Sequence, residues 1–195
     1  VRPGWEKVAM MRLSYLNQSD NRKQLTDYVE TFLRNYPDSG ELRITWARLL
    51  AEWDEFEKAL TQFTKLVEQD PENKEAVYAA AVLNMELGND PMATRMFVRY
   101  LELDPEHDQS RLFLARIAAG QDRFDDALSW LSAVTSAEHI FDAQLRAAFV
   151  LADAKRADEA LAHLIQMVPD SVPEQVRIYL AQERILRQSE GLEAA

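Results

Sequence analysis

The sequence predicts an all-α protein, a right-handed superhelical solenoid of about five helix–turn–helix units followed by an unpaired C-terminal helix. The first observation is a proline repeat, since Pro3, Pro37, Pro71 and Pro105 follow one another at intervals of 34 residues. The second is a series of alanines with nearly the same period: Ala47, Ala81, Ala115, Ala148 and Ala181. A fixed period of this size is typical of stacked repeats, which bury their apolar faces against one another.

Within each period the apolar residues are spaced as they are on one face of a helix. Leu42, Trp46, Leu49 and Trp53 lie three or four residues apart, and a second such segment follows the polar turn at Asp54. Each proline ends a second helix, because its ring removes an N–H and clashes with the preceding turn. The patterns predict about eleven helices near 5–17, 21–35, 40–52, 56–69, 74–87, 91–103, 108–120, 124–135, 140–153, 157–168 and 174–188.

Composition excludes several functional classes. The 195 residues carry a formal net charge of −11, which disfavours nucleic-acid binding because a nucleic-acid interface needs a basic face. The absence of cysteine excludes disulfides and thiolate metal sites. No segment is long and apolar enough to predict membrane insertion. His107, His139 and His163 have no metal-binding spacing, so we expect no metal, no cofactor and no enzymatic activity.

The repeat resembles the tetratricopeptide repeat (TPR), a family of 34-residue helix–turn–helix units. The matching units are 6–39, 40–73, 74–107, 108–140 and 141–173, followed by the helix 174–188, and together they predict one array over residues 1–195. The opening unit departs most, with Leu13 and Leu25 at both small-residue positions, and His139 replaces a proline in the fourth. Pro3 stands where a preceding unit would close, and 190–195 resembles the start of another helix. We therefore expect the chain to be excised from a longer array, with the last helix leaving Ile178, Leu180, Ala181, Ile185 and Leu186 uncovered.

The TPR resemblance implies that the first helix of each unit lines a concave groove that binds peptides or partner segments. Methionine and aromatic side chains suit adaptable apolar recognition, and arginine contacts carboxylates. The matching residues are candidate partner contacts: Met10, Met11, Ile44, Arg48, Tyr78, Val82, Met85, Leu112, Phe113, Arg116, Leu145, Arg146 and Phe149. At the positions of the lysine and asparagine clamp that holds chaperone tails in this family, only Arg48 is basic, so that ligand is disfavoured.

The segments 2–11, 36–63, 127–134 and 138–148 are further similar to a long TPR lipoprotein of Gram-negative bacteria. That resemblance implies a periplasmic scaffold at the outer membrane, one type of which presents cell-wall hydrolases to a processing protease. A cytoplasmic location stays open as the alternative. The function predicted here is a non-catalytic adaptor for a protein or peptide partner. The alternative is an architectural spacer that self-associates through its exposed ends.

Overall fold

The structure is a computed structural model that describes residues 3–18, 21–189 and 191. This part of the chain contains eleven α-helices and no strand, which confirms the all-α repeat fold. The helices are α1 (Pro3–Gln18), α2 (Arg22–Asn35), α3 (Gly40–Glu52), α4 (Phe56–Gln69), α5 (Lys74–Glu86), α6 (Asp90–Leu103), α7 (Asp108–Gly120), α8 (Phe124–Ser132), α9 (Ile140–Asp153), α10 (Ala157–Gln166) and α11 (Val172–Ser189).

The chain forms two compact bodies, each made of successive helices packed on one another. The N-terminal body comprises Val1–Leu103 and contains α1 to α6, and the C-terminal body comprises Asp104–Ala195 and contains α7 to α11. The division falls four residues before the predicted boundary between the units 74–107 and 108–140. Within each body, the first and second helix of every unit pack together, and each second helix also packs on the first helix of the following unit.

The alanine series lies at the helix contacts of both bodies. Ala47, Ala81 and Ala148 are fully buried, while Ala115 and Ala181 are 3% and 2% exposed. The second series is fully buried throughout, at Ala59, Ala93, Ala127 and Ala160. The large residues four positions later are buried as well, at Phe63, Phe97, Leu131 and Leu164. Small side chains let two helix backbones approach closely, and the bulky ones fill the space that remains beside them.

The turn between the two helices of a unit has one backbone conformation that recurs with the repeat. Four residues adopt left-handed φ angles between 57° and 70°: Asp54, Gly88, Asp122 and Lys155. In each turn the following N–H reaches back to a helix carbonyl five residues earlier, as Glu55 does to Leu50 at 2.9 Å and Arg156 to Leu151 at 2.9 Å. This is the Schellman motif, which satisfies carbonyls that the end of a helix would otherwise leave unpaired.

Arginines bind the carbonyls of the repeating prolines. Arg43 donates to the Pro37 carbonyl at 2.7 Å, and Arg111 donates to that of Pro105. Arg43 is 4% exposed and also donates to Gln62 of α4 at 2.9 Å. Burial lowers the pKa of the Arg43 guanidinium, and the nearby Asp38 carboxylate opposes that shift. These contacts attach the loop between two units to the first helix of the next.

The fourth unit lacks the proline, and a buried carboxylate organises its loop instead. Helix α8 ends at Ser132, three residues before the predicted end. The Asp108 carboxylate accepts the backbone N–H groups of Thr135 and Ser136 at 3.2 and 2.8 Å, and it pairs with Arg111 at 2.6 Å. Burial alone would raise the pKa of Asp108, but these hydrogen bonds and the ion pair outweigh it, so the pKa lies below its usual value of 3.8.

The C-terminal end of the repeat differs from the prediction. At the N-terminal end, Pro3 is the first residue of α1, where a missing N–H costs nothing. Helix α11 buries Ile178, Ala181 and Ile185 in the core that it shares with α9 and α10, so only Leu180 and Leu186 of the predicted uncovered set are exposed. The proposed start of a further helix lies outside the described residues except for Gly191. Within the described part of the chain, no helix has both the length and the apolarity needed to cross a bilayer.

Replacing Lys155 by glycine should stabilise the protein by up to about 1 kcal/mol, because glycine adopts the left-handed φ of 65° without the steric cost of a side chain. The reverse control is Gly88→Ala, at φ 70° with no atom within 4 Å of the added Cβ. It should cost a comparable amount through the backbone alone. Urea denaturation gives both free energies of unfolding. A Lys155→Gly variant that is less stable than the parent would contradict this account of the turn.

Replacing Asp108 by asparagine should lower the free energy of unfolding by ~1–3 kcal/mol at neutral pH, since it removes a buried carboxylate that binds two N–H groups and Arg111. The folded-state pKa lies below the unfolded value, so this stabilisation is present above about pH 3.9 and is lost as the pH falls through the folded-state pKa. Denaturation at pH 7 and at about pH 3 should therefore show a smaller difference between parent and variant at the acidic pH. The exposed Asp126→Asn is the matched control and should change stability by less than about 0.5 kcal/mol. Equal effects of the two substitutions would refute the role given to Asp108.

Candidate functional site

The predicted contact residues occupy recurring positions on the first helices, and the first of these positions faces the core. Its members are Met10, Ile44 and Tyr78 in the N-terminal body and Leu112 and Leu145 in the C-terminal body. The first three are half-buried, whereas Leu112 and Leu145 are only 4% and 8% exposed. Leu145 packs with residues of α10 and α11, so the prediction that it contacts a partner is wrong. Leu112 is accessible only as part of a cavity wall.

In the N-terminal body the remaining candidates do not converge on one cavity. Met11 is 70% exposed on α1, and Arg48 of α3 forms an exposed ion pair with Glu75 of α5 at 2.6 Å. Tyr78 packs against Tyr100 with ring centres 5.0 Å apart, and burial raises the pKa of its hydroxyl, as does Tyr100 to a lesser extent. Val82 and Met85 are half-buried on the same helix. A cavity of about 510 Å³ in this body has Arg43 and Trp46 in its wall and includes none of the predicted contacts.

In the C-terminal body the structure brings four of the predicted residues, Leu112 among them, to one cavity. Arg116 of α7 and Arg146 and Phe149 of α9 line a space of about 190 Å³ between the two helices. We call this space the Arg116–Arg146 pocket. The other lining residues are Leu112, Ala115, Ala119, Leu131, Val150 and Asp153. Its walls are therefore mostly apolar, and its charged groups are two guanidinium groups and one carboxylate.

Arginines and aromatic rings are stacked around the Arg116–Arg146 pocket. The Arg116 guanidinium lies 5.5 Å from the centre of the Phe113 ring, and that of Arg184 from α11 lies 4.9 Å from the centre of the Phe149 ring. A guanidinium at such a distance is attracted by the negative face of the aromatic ring. Arg146 differs from both, because none of the described residues forms an ion pair or a hydrogen bond with its guanidinium.

Sequence reasoning missed several contributors to this site, including Arg184, Asp153 and Ala119. Arg184 and Asp153 lie outside the recurring positions that were compared between units, and Ala119 has a small side chain that pattern reasoning assigns to packing. The positional signal for Ala119 was present, since it lies 34 residues after the predicted contact Met85. No spacing rule indicates Arg184, because its relation to Phe149 depends on how α11 packs on α9.

His107 and His163 are held by structural contacts. Among the described residues no group of three histidine, aspartate or glutamate side chains is arranged to hold a metal ion. The His107 ring accepts the N–H of Ser110 at 3.3 Å at the start of α7, and burial lowers its pKa. The His163 ring lies 2.9 Å from the Gln144 carbonyl. These histidines therefore contact helix ends and the backbone, and the Arg116–Arg146 pocket contains no histidine.

Comparison with known families and sequences identifies the repeat. A family model described as tetratricopeptide repeat matches residues 44–94 and 91–138. A curated relative, a homolog of DnaJ homolog subfamily C member 7 from Dictyostelium discoideum, is 28% identical over 112 residues. That match covers 57% of this chain and 19% of the relative, so the chain spans about a fifth of the length of that protein.

Solved structures share the fold. A crystal structure of MamA protein superposes with a TM-score of 0.71 over 97% of each chain at 13% identity. YrrB, described as a TPR protein with an unusual peptide-binding site, superposes with a TM-score of 0.63 over 85% of each chain at 22% identity. At 13% and 22% sequence identity, these similarities show a shared fold.

The adjacent residues Leu145 and Arg146 should respond oppositely to truncation. Leu145→Ala should destabilise the protein by ~2–5 kcal/mol, because it opens a cavity in the core of α9, α10 and α11. Arg146→Ala should change the free energy of unfolding by less than about 0.5 kcal/mol, because the side chain is exposed and makes no ion pair among the described residues. Urea denaturation of both variants measures this difference. Equal stabilities would place Leu145 on the surface, as the sequence predicted.

Proposed function

Since the chain is a tetratricopeptide repeat protein, we propose that it is an adaptor that holds a segment of another protein against the first helices of its repeats. The observation that carries the proposal is the Arg116–Arg146 pocket. Two neighbouring first helices supply an apolar cavity together with charged groups at its edge, and this is the usual composition of a binding site. The relative YrrB, which has a described peptide-binding site, supports the same class of function.

Non-catalytic binding accounts for the chemistry around the pocket better than turnover does. An enzyme needs a nucleophile or a general base within reach of a reacting atom. The titratable residues that line the pocket are Arg116, Arg146 and Asp153, and neither a histidine nor a serine lies among its lining residues. Guanidinium groups and aromatic rings are instead the groups that contribute most binding energy at protein interfaces.

We further propose that the adaptor acts in the periplasm at the outer membrane and presents bound proteins to a protease. Support comes from the resemblance of 2–11, 36–63, 127–134 and 138–148 to the lipoprotein scaffold named above. Presentation requires separate surfaces for the presented protein and the protease. The candidate contacts lie in both bodies, which is consistent with more than one such surface.

A second candidate function is favoured by two exposed apolar helix faces. On α1 these are Trp5, Val8, Met11 and Tyr15, which are 50% to 71% exposed. On α11 they are Val172, Val176, Tyr179 and Leu180, which are 48% to 77% exposed. Exposed apolar patches at helical spacing are typical of protein interfaces. A spacer that assembles with further copies of itself would use these faces.

Position-specific photocrosslinking separates the two functions. A photoreactive phenylalanine analogue placed at Arg48 or Arg146 on first helices should capture a partner protein in cells that express the full-length protein. The same analogue at Thr64 or Ser129, which are exposed on the second helices α4 and α8, should capture less or none of it. Arg48 and Thr64 are both exposed in the N-terminal body, and Arg146 and Ser129 are both exposed in the C-terminal body. A difference in capture within either pair therefore shows which helix of the unit contacts the partner.

The arms of this experiment have distinct outcomes. Capture of a periplasmic protein at Arg48 or Arg146 supports the adaptor, and an associated protease in the same product supports presentation. Capture of a second copy from Met11 or Tyr179, with none at the first-helix sites, favours the spacer. Equal capture at first and second helices would show that the first-helix surface has no special role.

A further inference from the structure

We propose that the Arg116–Arg146 pocket recognises an internal acidic segment of the partner, with one aromatic side chain inserted into the cavity and flanking carboxylates bound to the two arginines. The proposal rests on the adaptor function and specifies the chemistry of the segment that this site holds. Three features of the C-terminal body carry it: the size of the cavity, the charge at its edge and the small residues in its wall.

The cavity has room for one aromatic ring. Its volume is about 190 Å³, and a protein cavity of ~150 Å³ lined by apolar side chains is large enough to bind benzene. Ala115 and Ala119 create the space, because a larger residue at either position would project into it. Phe149 and Val150 supply apolar surface on the opposite helix. A single aromatic ring can therefore be buried here.

The edge of the pocket favours negative charge. The pocket wall contains two guanidinium groups and one carboxylate, that of Asp153, and the Arg184 guanidinium lies 4.9 Å from the centre of the Phe149 ring. The Arg146 guanidinium has no counter-ion among the described residues. A carboxylate that approaches between Arg116 and Arg146 therefore gains charge-assisted hydrogen bonds without first breaking an ion pair of Arg146.

The net charge of the whole chain favours a basic partner, whereas the pocket favours an acidic one. The distance over which each attraction acts decides between them. A charge of −11 attracts basic partners at long range. At physiological ionic strength that attraction is screened over about 8 Å, while contacts at 3 Å are screened much less. The chemistry of the bound segment is therefore set by the arginines at the pocket, and the acidic remainder disfavours any extension of the interface by further carboxylates.

The probes are three short peptides with acetylated N-termini and amidated C-termini, so that every carboxylate belongs to a side chain. The first is Gly-Glu-Glu-Phe-Glu-Glu-Gly. The second replaces each glutamate by glutamine, and the third replaces phenylalanine by alanine. Each is titrated into the isotope-labelled full chain and followed by NMR chemical shifts. We expect the first peptide to shift the amides of Ala115, Ala119 and Phe149 and to bind about tenfold tighter than either of the others.

Substitutions of single residues test whether the first peptide binds at the Arg116–Arg146 pocket. Arg146→Glu should weaken the first peptide about tenfold or more, and Arg146→Lys should weaken it less, because lysine keeps the charge but not the two-pronged geometry. The control Arg95→Glu makes the same charge change at an exposed position on α6 and should leave the affinity within about twofold. Ala119→Leu, which fills the cavity and keeps every charge, should weaken the phenylalanine peptide but not the alanine peptide. Circular dichroism confirms that each variant is folded.

Three results would overturn the proposal. One is equal affinity for the acidic and the glutamine peptides, and another is an Arg95→Glu effect as large as that of Arg146→Glu. The third is the absence of binding by the acidic peptide up to roughly millimolar concentration. If Arg146 still captures a partner by photocrosslinking after any of these results, then the adaptor function stands and only the acidic and aromatic chemistry is wrong. If no partner is captured at Arg146 either, then both the adaptor function and the proposed chemistry of the bound segment are refuted.

Discussion

The close approach of helices at alanine is the constraint on which the rest of this structure depends. Nine alanines in two series are at most 3% exposed, as expected of small residues that let packed helices approach closely. A helix contact made through methyl groups tolerates little change in register, because a shift by one residue rotates a bulky side chain into the gap by about a third of a turn. The interval between successive alanines therefore determines the interval between units. All other recurring features, including the left-handed turn residue, repeat in step with it.

This constraint explains what could be predicted from the sequence. Ten of the eleven helices end within two residues of the prediction, because their boundaries depend on local signals: a proline, a polar turn, or a Schellman motif. Helix α8 is the exception, and its end is determined by Asp108, which lies 27 residues away from the N–H of Thr135 that it binds. A cap supplied from another helix leaves no pattern in the neighbouring sequence. The same holds for Arg184, which reaches Phe149 only because α11 packs on α9.

The candidate site was predictable in its helices but not in its individual side chains. Equivalent positions on successive first helices differ in burial, so that Ile44 is half-buried while Leu145 is 8% exposed and packed in the core. Repeat periodicity places both on the same side of a helix. How much of each side chain remains accessible depends on the packing of the adjacent second helix, and the residues of that helix vary from unit to unit. Periodicity therefore identifies the surface of a repeat protein, whereas packing selects the residues that a ligand can reach.

Variation within the repeat is also what makes one part of the surface different from the rest. The position occupied by Arg48 in α3 is occupied by Arg116 in α7 and by Phe149 in α9. In the N-terminal body Glu75 neutralises the arginine, and exposed ion pairs of this kind contribute little stability, so that contact mainly removes a binding group from use. In the C-terminal body the residue equivalent to Glu75 on α9 is Asp142, which pairs with Arg177 of α11. Arg116 and Arg146 lie beside a cavity that Ala115 and Ala119 keep open. The small residues needed to stack the helices thus also create the space that the arginines flank, so packing and recognition in this body have the same structural origin.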